Sequence, residues 1–142
     1  MKIKRTIEQV EITGITLLSI DEAEMLPTRL REYNGWWWLR SRGDHSTCAA
    51  TVINDGSVID YGGYIYCDGI AVRPALTVKS SNLEIGDIIC LGGKEWEVIN
   101  DKYAFCTTNI GFHGFDGNSN DYDKSEIKQF VESWLKKEKS DN

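Results

Sequence analysis

Hydrophobic and polar positions alternate in short runs along most of the chain, a period-two pattern that predicts half-buried β-strands. Turn residues separate the runs: residues 54–56 (Asn-Asp-Gly) predict one hairpin, and residues 92–93 (Gly-Gly) predict another. A second Gly-Gly pair at 62–63 is predicted to end a strand of the first hairpin. The predicted strands cover residues 7–13, 14–20, 36–41, 48–53, 57–61, 64–67, 70–78, 85–91, 94–99 and 103–107.

Three consecutive tryptophans, Trp36, Trp37 and Trp38, mark the strand around which the rest of the chain is predicted to pack. Because successive side chains of a strand point to opposite faces, Trp36 and Trp38 are predicted to share one face and Trp37 to occupy the other. Such a strand is either buried on both faces or buried on one and presented on the other. In the later strand 70–78, Pro74 lacks a backbone donor and is predicted to lie at a sheet edge or a bulge.

A second periodicity, with apolar residues at intervals of three and four, predicts a helix at the C-terminal end. This helix is predicted over 124–139 with Asp123 as its N-cap. Its apolar stripe consists of Ile127, Phe130, Val131, Trp134 and Leu135. Ser19 and Glu22 have the spacing of a capping box, which predicts a short helix over 21–25. The chain is therefore predicted to be an α+β domain with short twisted antiparallel sheets, a short N-terminal helix and a C-terminal amphipathic helix.

The composition is that of one folded domain, with 142 residues of which 41% are hydrophobic. A net charge of −6 argues against direct binding to nucleic acid, which needs clustered lysine and arginine, and suits docking on a basic partner. The four cysteines have no metal-binding spacing and are typical of reduced thiols. With neither a signal peptide nor a long apolar run, the sequence predicts a cytoplasmic protein without membrane contact.

The stretch from residue 36 to residue 76 contains the segments WWWLRSRG, CAATVINDGSVIDYGG and IAVRPAL. It resembles an uncharacterised domain family of gut bacteria and their phages, whose signature runs WWLRSPG, then AAxVxxDGxV, then GVRPAL. Arg42 stands where that family has proline, and Ala71 where it has glycine. The family is related to the C-type-lectin-like fold, shared by formylglycine-generating enzymes and by the variable receptor-binding proteins of diversity-generating retroelements. The resemblance implies that fold here, in a bacterial or phage-infected host cell.

The order of the segments differs from that of the family. The hairpin and helix resembling residues 84–139 come first there, and the segments resembling residues 1–78 follow. This order implies either a circular permutation joined through residues 79–83 or a swapped homodimer, in which each half pairs with the other copy's half. The sequence leaves both alternatives open, and the chain is predicted to form a single domain, 1–142, in either case.

Candidate ligand-binding residues lie around the hairpin that follows the tryptophans. They are Asp44, His45, Thr47, Asp60, Tyr61, Tyr64, Tyr66 and Asp68. On a strand Tyr64 and Tyr66 share a face, and tyrosine offers a large contact area at a low entropic cost. In the retroelement proteins this part of the fold displays ligand-contacting residues, so the resemblance implies a binding face here. That the tyrosines instead cover the sheet is an alternative that the sequence leaves open.

A loop at 116–123 resembles the start of a calcium-binding loop. Oxygen ligands stand at its first, third and fifth positions, which are Asp116, Asn118 and Asn120. The sixth position is Asp121 rather than glycine and the twelfth is Ile127 rather than glutamate. These departures favour a polar loop that leads into a capped helix, so no cofactor is predicted.

Thiol and imidazole side chains offer two further kinds of chemistry. Together, His45, Cys48, Cys67 and His113 could bind zinc if the fold assembled them. Formylglycine-generating enzymes use a cysteine pair with copper, but neither Cys48 nor Cys67 aligns with that pair residue for residue. A nucleophilic cysteine needs a basic neighbour, and His45 is the nearest in sequence. No triad, paired-carboxylate or phosphate-loop motif occurs, so no catalytic residue is predicted.

The predicted function is therefore a non-catalytic binding domain that recognises a macromolecule, with a protein favoured, through the face of tyrosines and aspartates after the tryptophans. One alternative is a small acidic phage-encoded inhibitor of a host defence protein. Another is a thiol- or metal-dependent enzyme related to formylglycine-generating enzymes. The residues predicted to be structural are Trp36, Trp38, Arg40, Arg73, Trp96 and Trp134. For the two arginines, contact with a ligand is the alternative.

Overall fold

The computed structural model describes residues 6–7, 10–79 and 82–140. The strands in this part of the chain are β1 (Thr6–Ile7), β2 (Glu11–Thr16), β3 (Trp37–Arg42), β4 (Cys48–Val52), β5 (Val58–Tyr64), β6 (Ala75–Lys79), β7 (Ile88–Leu91), β8 (Lys94–Val98) and β9 (Tyr103–Cys106). The helices are α1 (Ile20–Glu24), α2 (Thr28–Arg31) and α3 (Glu126–Ser140), with a short 3₁₀ helix at Tyr122–Lys124. The predicted α+β class is confirmed. None of the helices described combines the length and the apolar character needed to cross a bilayer.

Six strands form one sheet in the order β1-β7-β8-β9-β6-β2, with β1 and β7 parallel and the other neighbours antiparallel. Strands β7, β8 and β9, from residues 88–106, are therefore flanked on both sides by strands from residues 6–79 within a single hydrogen-bonded layer. The hairpin of β7 and β8 has the predicted Gly-Gly turn. The predicted linker 79–83 and the predicted strand 7–13 lie partly outside the described residues, and β2 crosses the boundary predicted between 7–13 and 14–20.

A smaller antiparallel sheet contains β3, β4 and β5 in that order, with the predicted turn at 54–56 between β4 and β5. The prediction that the glycines at 62–63 end β5 is wrong, because the strand continues to residue 64. Thr51 pairs with Ile59 and Ala49 pairs with Gly63, so three residues of β5 (60–62) lie opposite one residue of β4. This insertion of two extra residues is an irregular β-bulge, a feature that bends a strand and disrupts its ladder locally.

Two hydrophobic clusters lie on opposite sides of β3. Trp38 belongs to the cluster that contains Trp96 and the buried side of α3, whereas Trp37 packs with Phe105 in the other cluster. Both are fully buried, but Trp36 is 44% exposed, so the prediction that Trp36 is a buried structural residue is wrong. The physical reason is that β3 begins only at Trp37, where pairing with β4 starts.

Helix α3 buries the predicted stripe, with Ile127, Val131 and Leu135 inside and the stripe's two aromatic residues partly buried against the same cluster. The prediction of Asp123 as the N-cap is wrong, because Asp123 lies in the 3₁₀ helix. Instead, the hydroxyl oxygen of Ser125 accepts from the backbone N–H of Lys128 at 3.1 Å. The capping box of α1 is confirmed, with both of its reciprocal hydrogen bonds present.

Two further strand predictions fail in the segment between the sheets. Residues 64–67 form a turn, closed by the bond from the Cys67 N–H to the Tyr64 carbonyl at 3.0 Å. In the predicted strand 70–78, pairing as β6 begins only at Ala75, directly after Pro74. Since β6 lies between β9 and β2, Pro74 is not at an edge, and its carbonyl accepts from the Cys106 N–H at 3.0 Å. Because proline lacks a backbone N–H, its position just before the strand leaves all the donors of that strand's ladder in place.

Candidate functional site

Five exposed aromatic side chains gather on one side of the molecule, and we call them the aromatic face. They are Trp36, Tyr61, Tyr64, Tyr66 and Phe112. Ala71 joins two of the contributing segments, because it forms one bridge to Trp37 and another to Phe112. The backbone N–H of Ala71 also donates to the Trp36 carbonyl at 2.9 Å. Backbone hydrogen bonds therefore bring together exposed aromatic side chains from segments that are distant in sequence.

A cavity of about 810 Å³ opens in the aromatic face. Its aromatic lining consists of Trp36, Tyr61 and Tyr64, and the carboxylates of Asp44 and Asp68 also line it. This volume is within the range of about 300–1,000 Å³ that is usual for ligand sites. We call it the large pocket. A second pocket of about 300 Å³ is lined by Tyr66, Phe112 and three carboxyl groups, those of Asp68, Asp116 and Glu126.

The bulge in β5 positions Tyr61 at the large pocket. Gly62 has φ of +73°, and a Cβ at this position would lie 1.7 Å from the carbonyl oxygen of Ala49. Glycine is therefore the residue that this conformation requires. The bulge thus packs Gly62 against β4 and leaves Tyr61 57% exposed.

The opposite wall comes from the loop between β3 and β4. The backbone N–H of Gly43 donates to the Cys48 carbonyl at 2.9 Å, and the Cys48 N–H donates to the His45 carbonyl at 3.0 Å. From outside the loop, the Asn120 side-chain amide donates to the carbonyls of His45 and Cys48, both at 3.1 Å. These bonds fix the loop that carries Asp44 to the pocket.

Tyr64 and Tyr66 share a face, as predicted, although they lie at the end of β5 and in the following turn. Their rings stack with centroids 5.4 Å apart and planes 8° apart. Between them Ile65 is buried, and its carbonyl accepts from the backbone N–H groups of Phe115 at 2.7 Å and Asp116 at 3.1 Å. Since Tyr64 is 54% and Tyr66 64% exposed, the two rings do not serve mainly to cover the sheet.

The structure brings together most of the predicted ligand-binding residues. Those at the large pocket are Asp44, His45, Tyr61, Tyr64 and Asp68, while Tyr66 lies at the smaller one. Thr47 and Asp60 are exposed but line neither pocket. Sequence reasoning missed Trp36 and Phe112, and the only local signal for Phe112 was a large apolar residue in a glycine-rich loop. A role of any of these residues in binding stays a prediction.

Arg73 is structural, as predicted. It is 1% exposed, and its guanidinium donates to the carbonyls of Leu30 at 2.9 Å, Thr108 at 2.8 Å and Cys106 at 3.2 Å. The guanidinium also lies 4.6–4.9 Å from the ring centroids of three aromatic residues, which are Tyr33, Trp37 and Phe105. Burial lowers the pKa of Arg73 to about 10. It therefore remains a cation at neutral pH, enclosed by carbonyls and aromatic rings.

Arg40 is also structural. Its guanidinium donates to the carbonyl of Leu17 at 2.8 Å and forms an ion pair with Glu22 in α1. Burial opposes ionisation of Glu22, but hydrogen bonds from Arg40 and from the Ser19 N–H outweigh it and lower the pKa of that carboxyl group. Arg40 thus ties β3 to the capping box of α1.

Trp96 and Trp134 are packed against one another, as expected for structural residues. Their ring centroids are 5.5 Å apart, and the Trp96 indole N–H donates to the Leu91 carbonyl at 3.1 Å. Trp96 is fully buried, and Trp134 is partly buried against the same cluster.

The calcium candidate in loop 116–123 uses its oxygens for the fold. Asp116 accepts from the backbone N–H groups of Asn118 and Ser119, both at 2.8 Å, and from that of Glu126 at 3.0 Å. Burial opposes ionisation of the Asp116 carboxyl group, but these hydrogen bonds outweigh the effect of burial and lower its pKa. The Asn120 amide is committed to the 43–48 loop. In the ranges described, no three His, Cys, Asp or Glu side chains form a group that could hold a metal ion.

The large pocket also contains the side chains that thiol chemistry would use. His45, Cys48 and Cys67 line it, and all three sequence-predicted groups thus share one cavity. His113 does not join them, because it lines the smaller pocket and stacks on Phe130 with centroids 4.7 Å apart. A zinc site from all four residues is therefore not assembled.

Family models, curated proteins and solved structures were compared with the chain, and none of them matches. The resemblance carried by residues 36–76, the C-type-lectin-like fold and the circular permutation therefore stay predictions.

Proposed function

We propose that the protein is a non-catalytic binding domain that recognises another protein through the aromatic face. The observation that carries this proposal is the grouping of five exposed aromatic side chains at two adjoining pockets, of which the larger has a volume of about 810 Å³. Contiguous exposed apolar area of this kind marks interaction sites on monomeric proteins. Tyrosine and tryptophan are also the residues most enriched among those that dominate binding energy.

The aromatic face is held in place before any ligand arrives. Backbone bonds at Ala71, Ile65 and Cys48 fix the segments that carry it, and the Asn120 amide fixes the loop that carries Asp44. A preformed surface loses little conformational entropy on binding, so more of the contact energy contributes to affinity. A rigid scaffold under exposed aromatic side chains therefore supports recognition of a macromolecule.

Affinity capture from a bacterial lysate, read by mass spectrometry, tests the proposal. The bait is the wild-type chain, beside a double variant, Tyr61→Ala with Tyr64→Ala, and a control variant, Met25→Ala. Met25 is 85% exposed but lies in a separate cleft beside Ile85. We expect a stoichiometric protein that wild type and control retain and the double variant loses. Capture that is equal for all three baits, or absent for all three, would contradict the proposal.

An acidic inhibitor of a host defence protein is a narrower form of the same proposal, supported by the net charge of −6 and by the carboxylates of Asp44 and Asp68 at the pocket. Contact between an acidic surface and a basic groove weakens with salt, because mobile ions screen exposed charges. Capture at low salt that is lost at high salt would support this form. Capture that salt does not change would favour an aromatic-centred contact.

A thiol-dependent enzyme is the second candidate, because His45, Cys48 and Cys67 share the large pocket. Blocking of thiols, or the pair of substitutions Cys48→Ser and Cys67→Ser, distinguishes it from a binder. Circular dichroism checks that the doubly substituted protein folds. We expect a folded variant to retain its partner, and loss of the partner in a folded variant would favour a thiol mechanism.

A further inference from the structure

We infer that the large pocket binds the guanidinium group of an arginine in an extended, basic segment of the partner protein. This inference rests on the proposed function and names the chemistry that the aromatic face recognises. It is carried by the combination of aromatic walls and carboxylates in one cavity.

Aromatic walls favour a cation in this pocket. Trp36, Tyr61 and Tyr64 line it, and the faces of such rings attract a cation within about 6 Å of the ring centroid. The same chain shows the interaction internally, since Arg73 lies 4.6–4.9 Å from three ring centroids. The stacked pair of Tyr64 and Tyr66 adds a flat, exposed surface beside the cavity, on which a planar guanidinium can stack.

Carboxylates give the pocket a negative charge that nearby cations leave uncompensated. Asp44 and Asp68 line it, and Asp116 and Glu126 line the adjoining smaller pocket. Within the described ranges, none of these four carboxylates forms an ion pair with a lysine or an arginine, and the single contact of this kind is between Asp44 and His45 at 3.9 Å. No lysine or arginine is among the described residues that line either pocket. Charge complementarity therefore calls for a basic occupant.

Arginine fits these groups better than lysine does. Its planar fork can stack on a ring while donating two parallel hydrogen bonds to one carboxylate, whereas the ammonium group of lysine is a compact, strongly hydrated charge. Asp44 and Asp68 approach the cavity from different loops, one before β4 and one after β5. The cavity therefore offers a guanidinium a carboxylate from each of two loops.

The β5 bulge argues for recognition by an inserted side chain rather than by strand addition. Among the described residues β5 pairs only with β4, so its other edge is unpaired. Edge pairing needs a regular row of backbone donors and acceptors, and a bulge interrupts that row. Because the irregular pairing at residues 60–62 falls within β5, the strand does not offer the regular main-chain ladder that β-augmentation uses.

Selection of peptides from a random displayed library tests the inference without knowledge of the partner. The full-length wild-type chain is the bait, and peptides that also bind the Tyr61→Ala, Tyr64→Ala variant are removed. We expect the remaining peptides to share an arginine. A selected peptide is then resynthesised with citrulline, which is neutral but nearly the same shape, and with lysine. We expect citrulline to weaken binding about tenfold or more and lysine to weaken it less.

Substitutions in the pocket supply the other half of the test. Asp44→Asn and Asp68→Asn should each weaken binding of the arginine peptide by about three- to tenfold. Asp101→Asn is the matched control, because Asp101 is exposed in the turn between β8 and β9, away from both pockets. We expect it to leave the affinity unchanged.

The outcomes separate this inference from the proposed function. Selected peptides without a cation, or equal binding of the citrulline peptide, would overturn the inference while a protein-binding role stands. The same holds if the library yields no pocket-dependent peptide while lysate capture still depends on Tyr61 and Tyr64. If capture also fails to depend on these tyrosines, the proposed function falls as well.

Discussion

The packing under α3 and the aromatic face use their aromatic residues in opposite ways. Under α3, Trp96 and Trp134 are packed ring against ring, and Trp96 is fully buried. At the aromatic face, Trp36 and Tyr61 remain 44% and 57% exposed, although the backbone beneath them is hydrogen-bonded. Exposure at the aromatic face therefore does not come from a lack of structure. Side chains under α3 stabilise the fold, and those at the aromatic face are available for a partner.

The largest expected effect lies within the tryptophan triplet. Trp38→Ala should lower the free energy of unfolding by about 3–5 kcal/mol, because it empties a fully buried site. It also removes the bond from the Trp38 indole N–H to the His113 carbonyl, which is 2.8 Å long, and the edge contact with Phe115. Urea denaturation measures the change. A decrease in the free energy of unfolding below about 1 kcal/mol would contradict the assignment of Trp38 as a buried member of the triplet.

Gly62→Ala tests how strongly the backbone conformation of the β5 bulge, beside the large pocket, depends on glycine. The conformation with φ of +73° costs a residue with a side chain about 1–3 kcal/mol, and the clash with the Ala49 carbonyl adds to that cost. Gly93→Ala is a matched control, because Gly93 has φ of +74° and nothing within 4 Å of a Cβ. Denaturation of both variants separates strain from clash. Equal losses of stability would mean that close packing at the bulge contributes nothing.

Trp36→Ala should have the opposite profile to Trp38→Ala. Because Trp36 is 44% exposed, we expect a loss of stability of about 1 kcal/mol or less. Binding of the captured protein partner should weaken about tenfold or more, as is usual when an aromatic residue at the centre of an interface is removed. Denaturation and calorimetric titration measure the two quantities. A large loss of stability with unchanged affinity would place Trp36 with the packed aromatics.

Asp116→Asn should produce the smallest effect, about 1 kcal/mol, by weakening three hydrogen bonds to backbone N–H groups. Since folding lowers the pKa of Asp116, its stabilisation is complete above the pKa of the unfolded chain and is lost as the pH falls through the lower folded value. The difference between wild type and variant should therefore be full above about pH 5 and shrink below about pH 4. A difference between wild type and variant that does not change over this pH range would contradict the role of Asp116.

Local patterns predicted the parts of the fold that local interactions determine. The turn at 54–56, the Gly-Gly turn at 92–93, the Ser19 capping box and the stripe of α3 all depend on residues within a few positions of one another. The bulge in β5 could not be predicted in this way, because it exists only in relation to the register of β4.

The sequence predicted the part of the candidate site whose residues are close to one another along the chain. Tyr61, Tyr64 and Asp68 are close in sequence and stay close in space, so composition alone marked them. The role of Asn120 in holding the 43–48 loop could not be predicted, because its acceptors at His45 and Cys48 are 75 and 72 residues away. Trp36 was misplaced because alternation along a strand says nothing about where the strand begins.

Arg73 has a consequence for how the molecule opens. Its guanidinium is bound by the carbonyl of Leu30, 43 positions away, and by those of Cys106 and Thr108, 33 and 35 positions away, so three segments meet when that of Arg73 itself is counted. Removing the guanidinium from water costs free energy, and the hydrogen bonds that offset this cost form only when all three segments are in place. The segments should therefore open and close together, as one cooperative unit in amide hydrogen exchange, rather than fray one at a time. A single buried charge should thus couple the local unfolding of segments that are distant in sequence.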